Sequence, residues 1–174
     1  HLDDADLQPD QLAALAGFSL HHFHRVFRGM VGESVMGYVR RLRLEHAAWA
    51  ELMQLVATHA LPPLGPTLGL VHDDPEITAP ERCRYEAGWP IAPDLPLTPP
   101  PGFAIRELPP GLFAVALHRG PYAAILDTYV ALLGRWLPRQ SLELAEEPVV
   151  EIYLDAPGTV PDAELRTEIA VRVA

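Results

Sequence analysis

Between Gln11 and Ala48, apolar residues recur at three- and four-residue intervals, the period of amphipathic helices. PDQLAALAGFS predicts a short helix opened by Pro9 and Asp10 and closed at Gly17, with Leu12, Leu15 and Ala16 on its apolar side. Ser19 suits the N-cap of a second helix, and the Gly-Phe-Ser connection has the length a helix-turn-helix uses. Ala13, four residues before Gly17, leaves room for the two helices to cross closely. On the second helix, Leu20, Phe23, Val26 and Phe27 fall within an arc of about 120°, the core side. His21, His24, Arg25 and Arg28 occupy the opposite side, with His22 at its edge. A further amphipathic stretch, SVMGYVRRLRLEHAA, puts Val35, Tyr38, Val39 and Leu42 inward and leaves Arg40, Arg41 and Arg43 for phosphate contacts.

Beyond residue 48 the pattern mixes helices over 49–59 and 123–137 with strand-like runs. FAIRELP and GLFAVALH predict one hairpin, VVEIYL and RTEIAVRV another, with proline and glycine marking the turns. Residues 73–91 align without gaps on 155–173, matching Asp73 with Asp155, Pro75 with Pro157, Arg84 with Arg166 and Glu86 with Glu168. A strand-like run precedes each copy, LGLV and VEIYL, so the region reads as two copies of one supersecondary unit. The first copy should open with a hairpin about 80 residues before its mate. The helix-turn-helix occupies that place, so residues are expected to be missing near Ala48 and Trp49. The start at His1 likewise suggests part of a longer chain.

Charge sharpens this division. The 174 residues carry a formal net charge of −10, and all 13 basic residues are arginine. From Gln11 to His46 there are five arginines against Glu33 and Glu45, whereas 49–174 has eight arginines against seventeen acids. Attraction to nucleic acid must therefore be local to the first region. These differences predict two modules with different partners, over 1–48 and 49–174. The single Cys83 excludes an internal disulfide framework, and no apolar run reaches the roughly 18 residues of a membrane helix, so a cytoplasmic protein is expected.

Two family resemblances attach to these motifs. LAALAGFSLHHFHRVFRGMVGESVMGYVRRLRLEHAA resembles the first helix-turn-helix of AraC/XylS-type transcription regulators. That resemblance implies base-reading positions at His21, His24 and Arg25; the second such motif usual in the family is not found in the chain. HRGPY, DDPEITAPERCRYEAG and VVEIYLDAP resemble the GyrI-like, multidrug-sensor type of effector domain. This second resemblance implies a pseudo-symmetric antiparallel sheet with two helices on one face and, on the other, a cleft for aromatic, cationic or amphipathic small molecules. The expected fold is therefore α+β: an all-α helix-turn-helix region followed by a GyrI-like sheet whose first half is incomplete.

Period-two alternation in VVEIYL separates Val150, Ile152 and Leu154 from Val149, Glu151 and Tyr153. The all-apolar set is expected against the helices, leaving Glu151 and Tyr153 on the open face. A carboxylate there is costly unless paired, and a cationic ligand could supply the partner. Tyr153, Tyr122, Phe113, Trp89 and Trp136 are the aromatic candidates for the wall, and a salt bridge from Glu151 to Arg106 or Arg119 is the alternative. His118 and His72, beside turns, read as structural. His21 and His24 lack a cysteine or carboxylate on their helix to complete a metal shell, so no metal and no cofactor is expected.

The combined expectation is a ligand-responsive, non-enzymatic transcription regulator with DNA and a small molecule as partners, and a homodimer is compatible with it. Ser19, His21, His24, Arg25, Arg28, Arg40 and Arg41 are its candidate DNA contacts. Two alternatives stand beside it: a hydrolase of reactive small molecules using Glu151 with Tyr153 or Tyr122, and an acidic protein-binding module.

Overall fold

The computed structural model describes residues 8–31, 34–73, 78–79 and 82–174. The acids ahead of Gln8, together with Glu33 and Pro75, lie outside the described residues. The chain divides into two compact units, one formed by residues up to 55 with 71–87, the other by 56–70 with 88–174.

In the first unit, α1 (Pro9–Leu15) starts with Pro9 at its first helical position, where the missing N–H costs nothing. It ends as expected at Gly17, whose φ of 73° suits glycine. The Phe18 N–H reaches back to the Ala13 carbonyl at 2.9 Å and the Gly17 N–H to Ala14 at 3.1 Å, satisfying the last carbonyls. The Ser19 hydroxyl accepts from the His22 N–H at 3.4 Å, so Ser19 caps α2 (Leu20–Val31). Ala13 is 1% exposed, the small residue a close helix crossing needs. Phe23 and Phe27 are half-buried and the Phe27 ring meets Tyr38 edge-on at 5.5 Å, whereas Leu20, at the helix start, stays 44% exposed.

α3 (Val35–Thr58) is capped by the Ser34 hydroxyl, which accepts from the Gly37 N–H at 3.0 Å. It buries Val35, Val39 and Leu52. The two helices expected over 34–48 and 49–59 are one: the helix passes Ala48 and Trp49 without a break. No proline or glycine lies between Tyr38 and Thr58 to stop it. The Trp49 indole N–H donates to the Tyr85 hydroxyl at 2.9 Å, and His72 Nε2 lies 2.6 Å from Glu86 Oε1.

The strands β1 (Thr67–Val71), β2 (Tyr85–Gly88), β3 (Leu112–Arg119), β4 (Val149–Tyr153) and β5 (Arg166–Val173) form one sheet in the order β2-β1-β4-β5-β3. β4 and β3 both run antiparallel to β5, with Glu151 opposite Ile169 and Ala116 opposite Ile169. Residues paired across a ladder share a face. One face therefore carries Ala114, Val149, Ile169, Val171 and Val173, packed with Leu132 and Leu137 of the helical segment between β3 and β4. The other carries Val150, Ile152, Ala170 and Phe113, clustered with Leu68 and Leu70 of β1.

That helical segment is α-helical over Ile125–Tyr129 (α4) and widens to a π-helix over Val130–Trp136. In a continuing α-helix the Pro138 ring would meet the Gly134 carbonyl, and the looser turn avoids the clash.

The internal repeat is visible in the strands: an offset of 82 residues carries β1 onto β4 and β2 into β5. It is also visible in a side-chain clamp. Asp155 accepts from the Arg166 backbone N–H at 3.0 Å, from its Nε at 2.8 Å and from Nη2 at 2.9 Å. Asp73 accepts from Arg84 in the same three places at 2.8, 2.9 and 2.9 Å. The halves differ at one strand: β5 has neighbours on both sides, whereas β2 ends the sheet. Counting back 82 residues from β3 leads to 30–37, whose described residues are the end of α2, Ser34 and the start of α3.

One expected hairpin does not form. Residues 104–111 are exposed and make no strand against β3. Pro109 and Pro110 fix two successive φ angles and remove two donors, which prevents the primed turn of a tight hairpin.

The Arg166 hydrogen bonds hold the Asp155 carboxyl below its ordinary value, and Arg84 does the same for Asp73. A depressed carboxyl stabilises the fold fully above its unfolded pKa and loses that contribution as pH falls through the folded one. Wild-type stability, followed by urea unfolding, is expected to fall below about pH 4. Asp155→Asn is expected to be less stable than wild type at neutral pH, with the gap closing in acid; a gap constant down to about pH 2 contradicts the clamp.

Candidate ligand-binding site

β4 positions the site. Because Val149, Glu151 and Tyr153 alternate with Val150 and Ile152, and Glu151 sits opposite Ile169, the Glu151 side chain enters the face that carries α4. This reverses the expected placement on an open face. Apolar residues line both sides of the sheet, so the face opposite the helix has its own cluster around Val150.

Glu151 is 8% exposed. Its Oε1 accepts from the Tyr129 hydroxyl at 2.7 Å and its Oε2 from the Tyr153 hydroxyl. Among the described residues its partners are thus two neutral phenols, and neither Arg106 nor Arg119 pairs with it. Tyr122 stands edge-on to Tyr153, ring centroids 5.5 Å apart, and its hydroxyl donates to the Asp155 carbonyl at 3.4 Å. Burial, then the negative charges of Asp155, Glu151 and Asp162, push the Tyr122 phenol above its ordinary pKa, so it stays protonated.

HRGPY organises the adjoining corner. His118, 5% exposed, places Nδ1 2.8 Å from the Thr128 hydroxyl and Nε2 3.2 Å from the Pro121 carbonyl. A carbonyl can only accept, so Nε2 carries a hydrogen. Gly120, at φ 134°, turns the chain while its N–H donates to Leu165 at 2.9 Å. Thr167 pairs with both His118 and Tyr153 across the ladders, is 0% exposed, and its hydroxyl finds no partner among the described residues.

The structure therefore joins Glu151, Tyr153 and Tyr122 and adds Tyr129 and Thr167, which the sequence reading missed. Tyr129 follows Tyr122 by seven residues, two helical turns, a spacing that places both on one face. Phe113 belongs to the cluster on the opposite face. Trp89 donates its indole N–H to the Pro62 carbonyl at 3.2 Å, and Trp136 is 45% exposed at the end of the π-helix. A hollow of about 220 Å³ lined by Arg119, Asp155, Val160, Glu164 and Arg166 lies outside this cluster; its Asp155 and Arg166 are already paired.

Along α2, His21, Arg25 and Arg28 are exposed and His24 half-buried; His22 instead packs against Phe18 at 4.9 Å. On α3, Arg40 is exposed, while Arg41 pairs with Glu45 at 2.8 Å and lies 5.1 Å over the Tyr38 ring. No helix among the described residues is long and apolar enough to cross a membrane.

A family model, the GyrI-like small molecule binding domain, matches residues 35–174. The chain belongs to the GyrI-like family. Its sheet, helices and repeat are thus those of an α+β, GyrI-like domain. The chain is 30% identical over 108 residues, 62% of its length and 67% of the relative's, to the "Probable transcriptional regulator YgiV" of Escherichia coli K12. It is 44% identical over 95 residues, 53% of its length and 61% of the relative's, to the DNA gyrase inhibitor of Serratia proteamaculans. The fold is similar to that of EcmrR in the cryo-EM structure of the EcmrR–DNA complex in EcmrR-RPo. That likeness has a TM-score of 0.52 at 18% identity, covering 74% of this chain and 49% of that one.

Within this GyrI-like core, the unpartnered Thr167 hydroxyl costs about 1–3 kcal/mol of desolvation. Thr167→Val keeps the shape and removes the hydroxyl, so unfolding free energy is expected to rise by about 1 kcal/mol in urea titration. A loss of stability would show that the hydroxyl is satisfied after all.

Proposed function

We propose that the chain is a ligand-responsive transcription regulator of the AraC type. In this reading the α1–α2 helix-turn-helix binds DNA and the Glu151 cluster takes a small aromatic cation. The observation that carries it is a carboxylate 8% exposed whose partners are two phenols and no cation. A buried carboxylate satisfied only by neutral donors gains most from an incoming positive charge, and the faces of Tyr129, Tyr153 and Tyr122 suit its aromatic and alkyl groups.

Support for the DNA half comes from Ser19 capping α2 and from His21, Arg25 and Arg28 standing exposed along it, with His24 beside them. Arg40 would add a phosphate contact, and Arg41 a weaker one because Glu45 already engages it. The name of the YgiV relative and the DNA in the EcmrR structure agree with this reading. A second reading, a protein-binding module, draws on the likeness to a DNA gyrase inhibitor over 53% of the chain.

Calorimetric titration with benzyltrimethylammonium, against its neutral isostere neopentylbenzene, tests the proposal. The cation is expected to bind, and Glu151→Gln, which keeps the shape and removes the charge, to weaken it at least about tenfold, about 1.4 kcal/mol. Equal binding of the neutral compound, or an unchanged Glu151→Gln variant, would argue against a cation site.

A further inference from the structure

The sheet ends on β3, an eight-residue strand whose outer edge no described strand covers. The Gly120 N–H donates to Leu165, and in an antiparallel ladder alternate residues point their polar groups at the partner. His118, Ala116 and Ala114 therefore face β5, while the N–H and C=O groups of Phe113, Val115 and Leu117 turn outward. Val115 and Leu117 are 51% and 52% exposed, on the sheet face away from α4. Exposed edges are normally blunted by proline, lysine or an inward charge, and Leu112–His118 contains none of the three.

We propose that β3 is a self-association seam, pairing antiparallel with β3 of a second copy of this chain about a two-fold axis through Val115. Opposed residues of an antiparallel pair share a face, so the axis passes through a residue rather than between two. With Val115 on the axis, Phe113 meets the partner's Leu117 and Ala114 the partner's Ala116, apolar against apolar along the outward positions. An axis through Leu117 would set Val115 against the partner's Arg119, and one through Phe113 would set Leu117 against the partner's Pro109. In the favoured register the two Arg119 side chains stand about 27 Å apart at opposite ends, well beyond the screening length. Because Phe113, Val115 and Leu117 all present outward polar groups, the seam would form about six backbone hydrogen bonds. The self-matching sequence selects a second copy as occupant over residues 103–108, which reach this edge only through Pro109 and Pro110. The inference is independent of the ligand reading.

Sedimentation equilibrium on the whole chain tests it with Val115→Lys, Val115→Glu and their equimolar mixture. The wild type is expected to be a dimer. Each variant alone is expected to dissociate at least tenfold more readily, since like charges meet on the axis, and the mixture to regain the dimer by opposing Lys to Glu. Circular dichroism checks that the variants fold; Val115 is half exposed and its N–H unused within the sheet, so both should. A monomeric wild type, a dimer from either variant alone, or a mixture that stays monomeric overturns the proposal.

Discussion

The antiparallel register between β4 and β5 decides where the chemistry of this protein lies. Setting Glu151 opposite Ile169 sends a carboxylate into the same layer as the largest fully buried side chain of the sheet. Solvation lost there has to be replaced by the protein, and the replacement comes from two phenols on different elements, Tyr153 on β4 itself and Tyr129 at the end of α4. The helix beyond Tyr129 is free to widen into its π turn without disturbing the donor, because the widening starts at Val130. Shifting the register by one residue would put Val150 in that place, carry Glu151 and Tyr153 together to the other face, and leave the Tyr129 hydroxyl without its acceptor.

Around this arrangement the fold uses one device twice. Each half carries an aspartate that grips the arginine eleven residues later by its backbone N–H and by the Nε–Nη2 edge of its guanidinium, fixing the connection between consecutive strands. Duplication fails where residues of α2 and α3 occupy the position of the first strand, and among the described residues the sheet has five strands as a result. The two halves thus share a framework but not a site, for the position matching Glu151 is Gly69.

Features set by local rules were readable from the chain. Gly17 ends α1 because a left-handed turn needs glycine, Ser19 caps α2, and the offset of 82 residues relates the strands and clamps of the two halves. The face of Glu151 was not readable, since alternation shows that Val150 and Ile152 share a side but not which of two apolar layers receives them. Likewise FAIREL has the alternation of a strand, and only the following Pro109 and Pro110 show why it does not pair. Side-chain chemistry alone groups Phe113 with Glu151, although its pairing partner Arg172 places it on the other face. The Tyr129 contribution was present in its seven-residue spacing from Tyr122, a signal that matters only once the carboxylate is known to face the helix.

A carboxylate held by phenols on the helix-bearing face is the centre of the account, and the position of a bound aromatic cation reports on it directly. Intermolecular nuclear Overhauser effects from benzyltrimethylammonium, recorded on the isotope-labelled chain, locate the ligand ring. Contacts to the rings of Tyr129 and Tyr153 are expected. Contacts to Phe113 and Ile152 instead, on the opposite face of the sheet, would contradict it.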